Sequence, residues 1–464
     1  MTVVEQMAEF AVRADLTSLS RSALLQLKIR VLDALGCALG ALDGDPVRRV
    51  RQFVEDFSRD GSCTLIGGGR SAPDRAALYN GALVRYLDFN DSYLAPRETC
   101  HPSDNLGAVL AAAELANADG ATLLTALAVA YQVQCRLSDA APVRDRGFDH
   151  TTHLAYSVAA GVSRALSLDA QHTANAIAIS GTALNALRVT RTGTLSHWKG
   201  IAAPFAASAA TQATLLAERG ITGPAELFEG NKGFEQSIAG PFSIDWSEEG
   251  LDRVEQTIIK RYNAEIHSQT AIEAALQLQR QYGFDGMDLE SVEVEVFDVA
   301  YRIIGGGEEG DKTLVFTKED ADHSLPYLIA VALLDRRVMP AQFASERLHA
   351  PDVQTLLCRI IVRPRGDYSA RFPEALPSRV TVTLRDGRIF TLALTDYPGF
   401  HTRPQTWEDA VGKFTTLAPS GVDEPTLAQI VSAVHDLEHI KVAELTRLLG
   451  HLRVSAQSGA LDAA

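Results

Sequence analysis

Cysteine is scarce and dispersed. The five residues Cys37, Cys63, Cys100, Cys135 and Cys358 are odd in number and form no C-x-x-C pair, which argues against a disulfide framework, a zinc knuckle or a thiolate-held iron–sulfur cluster. Long apolar runs are missing as well. The best stretches, Leu106 to Leu115 and Ile201 to Leu216, are Ala-rich and too short or too interrupted to cross a bilayer. The N-terminus, Met1-Thr2-Val3-Val4-Glu5-Gln6, has no basic region leading into an apolar segment. No secretory or mitochondrial signal is read there, and the cytoplasm is the expected compartment. Positive charge is in deficit: 43 Lys and Arg against 58 Asp and Glu give a formal charge of −15. Such a surface repels phosphate backbones and anionic lipid, so neither nucleic acid nor membrane is expected as a partner. Gly67-Gly68-Gly69 and Gly305-Gly306-Gly307 lack the context of a phosphate loop and are read as turns.

Length and apolar content are present. With 464 residues and 46% hydrophobic composition, the chain can fill more than one core, and two domains are expected. From Leu16 to Arg280 small and apolar residues recur at three- and four-residue spacing, which predicts helices over Leu24–Leu39, Ala108–Ala118, Leu123–Cys135, Leu154–Leu166 and Ile201–Arg219. Ser18 and Ser20 are candidate N-caps for the first of these. Near Leu289 the period changes to two, in Ser291-Val292-Glu293-Val294-Glu295-Val296. Further strands are expected at Cys358–Val362, Val380–Leu384 and Arg388–Leu392, the last two joined by an Asp386-Gly387 hairpin. A helix is read at Leu325–Leu334, and helices return through Thr426–Leu437 and Ile440–Leu452 before a small-residue tail, Ser455 to Ala464, expected to be disordered. The expected fold is mostly α with an α+β part. A large all-helical domain (1–280) is interrupted by a smaller α+β domain containing an antiparallel sheet (281–400), then completed by C-terminal helices (401–464). Clefts between such domains favour ligands.

An acidic protein that binds a polyanion must concentrate cations locally. Four clusters stand out. Asp88-Phe89-Asn90-Asp91-Ser92 and His101-Pro102-Ser103-Asp104-Asn105 lead into an Ala-rich helix that Ser103 or Asp104 could cap. Asp and His together offer a base and a proton donor; the competing reading is a loop of caps and turns. Phe148-Asp149-His150-Thr151-Thr152-His153 spaces two imidazoles by three, but without the H-E-x-x-H form or a third ligand it reads as a helix start with one functional histidine. The cationic set is Arg191, then His197-Trp198-Lys199-Gly200, then Lys260 through His267; exposed lysines are usually only solvated. In Ala321-Asp322-His323-Ser324-Leu325-Pro326-Tyr327 a capped helix start accounts for the pattern and leaves His323 without a special role.

Together these segments resemble the MmgE/PrpD family across nearly the whole chain. The resemblance rests on Tyr86-Leu87-Asp88-Phe89-Asn90-Asp91, His101 through Gly107, Trp198-Lys199-Gly200, Lys260 to Gln269 and Ala321 through Tyr327. It implies a helical domain with an α+β lid, a homodimer, and a cleft that works without metal or organic cofactor. It implies pocket positions at Asp88, Ser92, His101, His150 and Lys260. The loop between Asp91 and His101 is longer than in the family's cis-aconitate decarboxylase branch and looks like that of the 2-methylcitrate dehydratase branch. Two departures from the decarboxylase branch are Glu265, near where that branch has a histidine, and the position around Leu195, which is not lysine here.

The resulting expectation is a cofactor-independent dehydratase (a hydro-lyase) that converts a tricarboxylate, 2-methylcitrate and as second candidate citrate, to a cis-aconitate-type alkene and water. His101 and His150 are the expected proton-transfer pair, with Asp88 orienting one of them or acting as base. Ser92, Ser103, Lys199, Arg191, Lys260 and His267 are expected to hold carboxylates, and no metal site is expected. Within the family the alternatives are cis-aconitate decarboxylation and dicarboxylate epimerisation, and the family's link is to propionate catabolism. Outside it they are a metal-dependent hydrolase using Asp88, Asp91, His101 and His150, and a non-catalytic helical scaffold.

Overall fold

Ala-rich helices can approach closely because most of their side chains are a single methyl group. In the computed structural model, which describes residues 1–57, 60–193, 195–307 and 310–452, the first part of the chain forms α1 (Val3–Arg13), α2 (Arg21–Gly40), α3 (Asp45–Phe57), α4 (Pro73–Tyr86), α5 (Leu106–Leu115), α6 (Gly120–Ala140), α7 (Thr151–Ala165), α8 (Ala170–Ala183) and α9 (Trp198–Glu218). Ser20 is the N-cap of α2, its hydroxyl accepting the Ala23 N–H at 2.9 Å; Ser18 instead closes a short 3₁₀ turn. Helices α4, α7 and α8 pack on α9. By length and hydropathy α9 could cross a bilayer, being longer than its apolar run suggested, yet 61% of its apolar window is buried in the protein, as in a core helix.

Between α4 and α5 the backbones touch. A Cβ on Gly107 would lie 2.5 Å from the Gly81 nitrogen, so only glycine permits this contact. That matters for function, because Asp88 follows α4 and His101 precedes α5.

The second part contains α10 (Gln269–Tyr282), β1 (Leu289–Val296), α11 (Leu325–Asp335), β2 (Ile360–Pro364), β3 (Ser378–Leu384) and β4 (Ile389–Leu394). The strand order is β2-β1-β3-β4. Val292, Val294 and Val296 of β1 and Val380, Val382 and Leu384 of β3 turn into a core that α10 and α11 complete, the period-two pattern at work. Asp386-Gly387 makes the β3–β4 turn, with Gly387 at φ +88°. One expectation is corrected. The sheet is mixed, because β2 runs parallel to β1: the long helical connection between them lets the chain cross over, which a tight hairpin cannot do.

Among the described residues two large hydrophobic cores result, beside a small cluster of Tyr93, Ala95, Cys100 and Cys135. One draws on Val4 to Ile259 and again on Ala410 to Leu452, and the other on Ile258 to Phe400. The C-terminal helices α12 (Trp407–Leu417), α13 (Glu424–His435) and α14 (Val442–Gly450) belong to the first core, α12 packing on α2. Helix α10, periodic like its predecessors, contributes to the second. The change of core therefore falls near Ile258, before the change of sequence pattern at Leu289. The Ser455 to Ala464 tail lies outside the described residues.

Candidate active site

The groups that could do chemistry converge where the two cores meet. Asp88 sits two residues past α4 with φ +55°, a left-handed conformation that Asp tolerates better than most residues. This turn aims its carboxylate into three cations. Oδ1 accepts from Arg85 Nη1 at 2.7 Å and from Lys260 Nζ at 2.7 Å, while Lys199 Nζ lies 3.4 Å from Oδ2. Lys260 also donates to the Asp88 carbonyl at 2.6 Å. Lys260 is delivered there by a reciprocal backbone pair between Ser92 and Ile258, both bonds 2.8 Å. From α12, Lys413 ties the two segments together, donating to the carbonyls of Phe89 and Lys260 at 2.8 and 3.0 Å while pairing with Asp33. Burial pushes the Asp88 carboxyl up, but Arg85, Lys260 and Lys199 outweigh it and hold it well below the usual carboxylate range.

His101 and His150 meet edge to face, their ring centroids 5.2 Å apart. His101 Nδ1 lies 2.8 Å from the Asp91 carbonyl and 3.1 Å from the Ser92 hydroxyl. A carbonyl only accepts, so Nδ1 carries the proton and Nε2 holds the lone pair of the neutral ring. His150 Nδ1 faces Asp149 at 3.5 Å, and its Nε2 is buried without a hydrogen-bond partner among the described residues. Burial, then Arg85 and Lys260, hold the His101 imidazole well below its ordinary value; burial, then Arg191, Arg85 and Arg188, do the same to His150 against the pull of Asp149. Both rings are neutral bases at pH 7.

The pocket these groups line also takes Glu98, Arg144, Arg188, Arg191, Glu265, His267 and His323. Arg191 is braced by Asp149 (Nε to Oδ2, 2.8 Å) and by the Lys199 carbonyl at 3.2 Å. Glu265 holds His267 Nδ1 at 2.6 Å, leaving His267 Nε2 buried and unpartnered among the described residues; burial raises the Glu265 carboxyl, but His267, His323 and Lys260 bring it down to about 2. Among the described residues, five Arg and Lys side chains and three carboxyls line the pocket, in a chain with a formal charge of −15.

Of the residues expected from sequence, Asp88, His101, His150, Arg191, Lys260 and His267 line this pocket. Ser92 and Lys199 lie behind it, the first against His101 and the second paired with Asp322 at 2.5 Å. Ser103 is a correction: its N–H and hydroxyl are both given to Asp91 Oδ1, at 3.0 and 2.7 Å, so neither is directed to a ligand. Nor do Ser103 and Asp104 cap α5; they lie within a 3₁₀ turn that precedes it. His323 is a second correction. Ser324 caps α11, as its pattern suggests, yet the imidazole before it lines the pocket, with Nδ1 2.6 Å from Asp322 and 2.9 Å from Lys199. Arg85, Glu98, Arg144 and Arg188 were not anticipated. Arg85, a charge that follows the small and apolar run Gly81–Val84 and stands three residues before Asp88, is the one that carried a readable signal.

Donor atoms of Asp88, Asp322 and His323 lie within 4.8 Å of one another, close enough to share a metal ion. The donors fit a metal poorly. Asp88 is committed to Arg85 and Lys260, and Asp322 to Lys199 and Lys318, so an added divalent cation would face four positive side chains. Asp91, a metal candidate in the hydrolase reading, gives its carboxylate to Ser103 and Tyr131.

Imidazoles and cationic side chains brought together in one pocket give this site both proton-transfer groups and positive charge for an anionic ligand. Residues 5–247 match the MmgE/PrpD N-terminal domain and residues 262–438 the MmgE/PrpD C-terminal domain. The chain belongs to the MmgE/PrpD family. It is 29% identical over 399 residues to a 2-methylcitrate dehydratase of Salmonella typhimurium, covering 80% of this chain and 81% of the relative. A 2-methylcitrate dehydratase of Cupriavidus necator is 30% identical over 407 residues, with 80% and 81% covered. The cis-aconitate decarboxylase of Mus musculus is 25% identical over 449 residues, with 91% and 88% covered. These names support a lyase of the dehydratase kind as the class of this enzyme.

Proposed function

We propose that this enzyme removes water from 2-methylcitrate, with citrate as a second candidate, to give a cis-aconitate-type alkene. The observation that carries the reading is the edge-to-face pair His101 and His150 set among five Arg and Lys side chains of the described residues. Lys260, Arg191, Arg188 and Arg144 would hold the substrate carboxylates. An imidazole, His101 through Nε2 or His150, would take the proton beside one carboxylate. As charge moves onto that carboxylate, cations already fixed around the pocket lower its energy without having to reorganise. Asp88 is engaged by Arg85 and Lys260 and faces Lys199, and its role in this scheme is to hold these three in place.

The names of the relatives support the substrate, and the lengthened segment between Asp91 and His101 supports dehydration over decarboxylation. In the same reading the α+β unit acts as a lid over the cleft, no cofactor is needed, and the enzyme is a cytoplasmic homodimer in propionate catabolism. The exposed apolar side chains Leu187, Val189, Trp198 and Phe205 are suited to the subunit contact, which sedimentation equilibrium would test. For the chemistry, His101→Ala and His150→Ala should each lower alkene formation by about 10²-fold or more. Undiminished turnover in both would remove the proton-transfer assignment.

A further inference from the structure

Dehydration moves two protons, one off carbon and one onto the departing oxygen. Neutral imidazoles can take the first. An imidazole that has done so could return it only to a hydroxyl on the same face of the substrate, so the second proton calls for another donor. Resting on the dehydratase reading above, we propose that Glu98 is the general acid that protonates the leaving hydroxyl.

Glu98 stands in the hairpin between Asp91 and His101, where Tyr93–Ala95 pairs with Glu98–Cys100 across a two-residue turn. It is 4% exposed and lines the pocket with His101 and His150. Its Oε1 accepts the Thr99 N–H at 3.2 Å, and Oε2 accepts those of Val143 and Arg144 at 3.2 and 3.0 Å. Backbone N–H groups cannot accept a hydrogen bond, so an acid proton on Glu98 must point away from them. Among the described residues, the other two carboxyls of the pocket are already engaged by side chains, Asp88 by Arg85 and Lys260 and Glu265 by His267 Nδ1 at 2.6 Å. Among the described residues, the charged and titratable groups that act on Glu98 or share its pocket include Arg144 after α6, Asp149 and His150 before α7, His101, and Arg188 with Arg191. Burial, with the Asp149 carboxylate, pushes Glu98 up to about 7 against its amide donors and Arg144.

The step balances. The C–H proton goes to the imidazole and its electron pair forms the alkene bond; the C–O pair leaves with oxygen, which takes the Glu98 proton and departs as water. A Glu98 carboxylate and an imidazolium remain, and proton exchange with solvent resets both.

The test uses the full chain, Glu98→Gln and Glu98→Asp, with 2-methylcitrate and with an analogue carrying fluorine in place of the hydroxyl, since fluoride leaves with far less proton assistance. Glu98→Gln should lose about 10²-fold or more on the hydroxyl substrate and under about tenfold on the fluorinated one. Wild-type activity should fall as pH rises through about 7, and this limb should vanish in Glu98→Gln, while Glu98→Asp should partly restore the hydroxyl reaction. Equal losses on both substrates, or full activity with an unchanged pH profile, would overturn the assignment. If the wild type releases no water from either tricarboxylate, the functional reading itself falls and takes this role with it.

Discussion

Replacing Asp88 by Asn removes one negative charge from a cluster that holds Arg85, Lys260 and Lys199. The change is nearly isosteric, and Asn accepts the φ of +55° as readily as Asp, so backbone strain is not added. All four side chains are at most 5% exposed. Asn keeps one oxygen for Arg85 and Lys260, but its amide would turn a donor toward Lys199. Breaking a buried ion pair from one side costs about 3–5 kcal/mol. With an unfolding entropy of about 2.1 cal/mol/K per residue, a chain this long loses about 1 kcal/mol per degree, so the melting temperature should drop by about 3–5 °C. The pH dependence is specific. Because the folded carboxyl is depressed, its stabilisation is fully present above the unfolded carboxylate range and is lost only as pH falls through the folded value. The difference between variant and wild type should therefore be the same at about pH 5 and about pH 8. Calorimetry at both values decides the matter. A shift under about 1 °C, or one that disappears at the lower pH, would refute the view that Asp88 is the counter-charge on which this cluster depends.

Lys260→Met keeps the apolar stem and deletes the ammonium that faces both Asp88 and the pocket; tricarboxylate KM should rise by about 10-fold to 10²-fold, and an unchanged KM would move carboxylate binding to the arginines. Gly107→Ala puts a methyl 2.5 Å from the Gly81 nitrogen. Since backbone cannot yield as a side-chain tip can, about 1–3 kcal/mol of stability should be lost, with a fall in activity because α5 carries the segment that bears His101. Thermal denaturation and turnover, measured together, check both consequences.

The helices were legible because Ala-rich three- and four-residue spacing is local information, and the Asp386-Gly387 hairpin because its turn is written in two residues. The parallel placement of β2 was not, since a crossover depends on how the intervening helices pack. The same division holds at the site. His101, His150, Asp88 and Lys260 occur in compact polar clusters, and the pocket unites them. Ser103 misled because a Ser ahead of a helix looks the same whether its N–H faces a ligand or, as here, Asp91. His323 was hidden by a capping pattern that is itself present, and Glu98 by a segment whose only regularity is a short hairpin. Both became visible only when distant elements were brought to one cavity.

The most direct test of the account is to incubate metal-stripped protein separately with 2-methylcitrate, citrate and cis-aconitate, following alkene absorbance and carbon dioxide release together. Alkene from 2-methylcitrate without carbon dioxide, lost in His101→Ala, is the predicted result. Carbon dioxide from cis-aconitate, or activity that returns only with added metal, would contradict it.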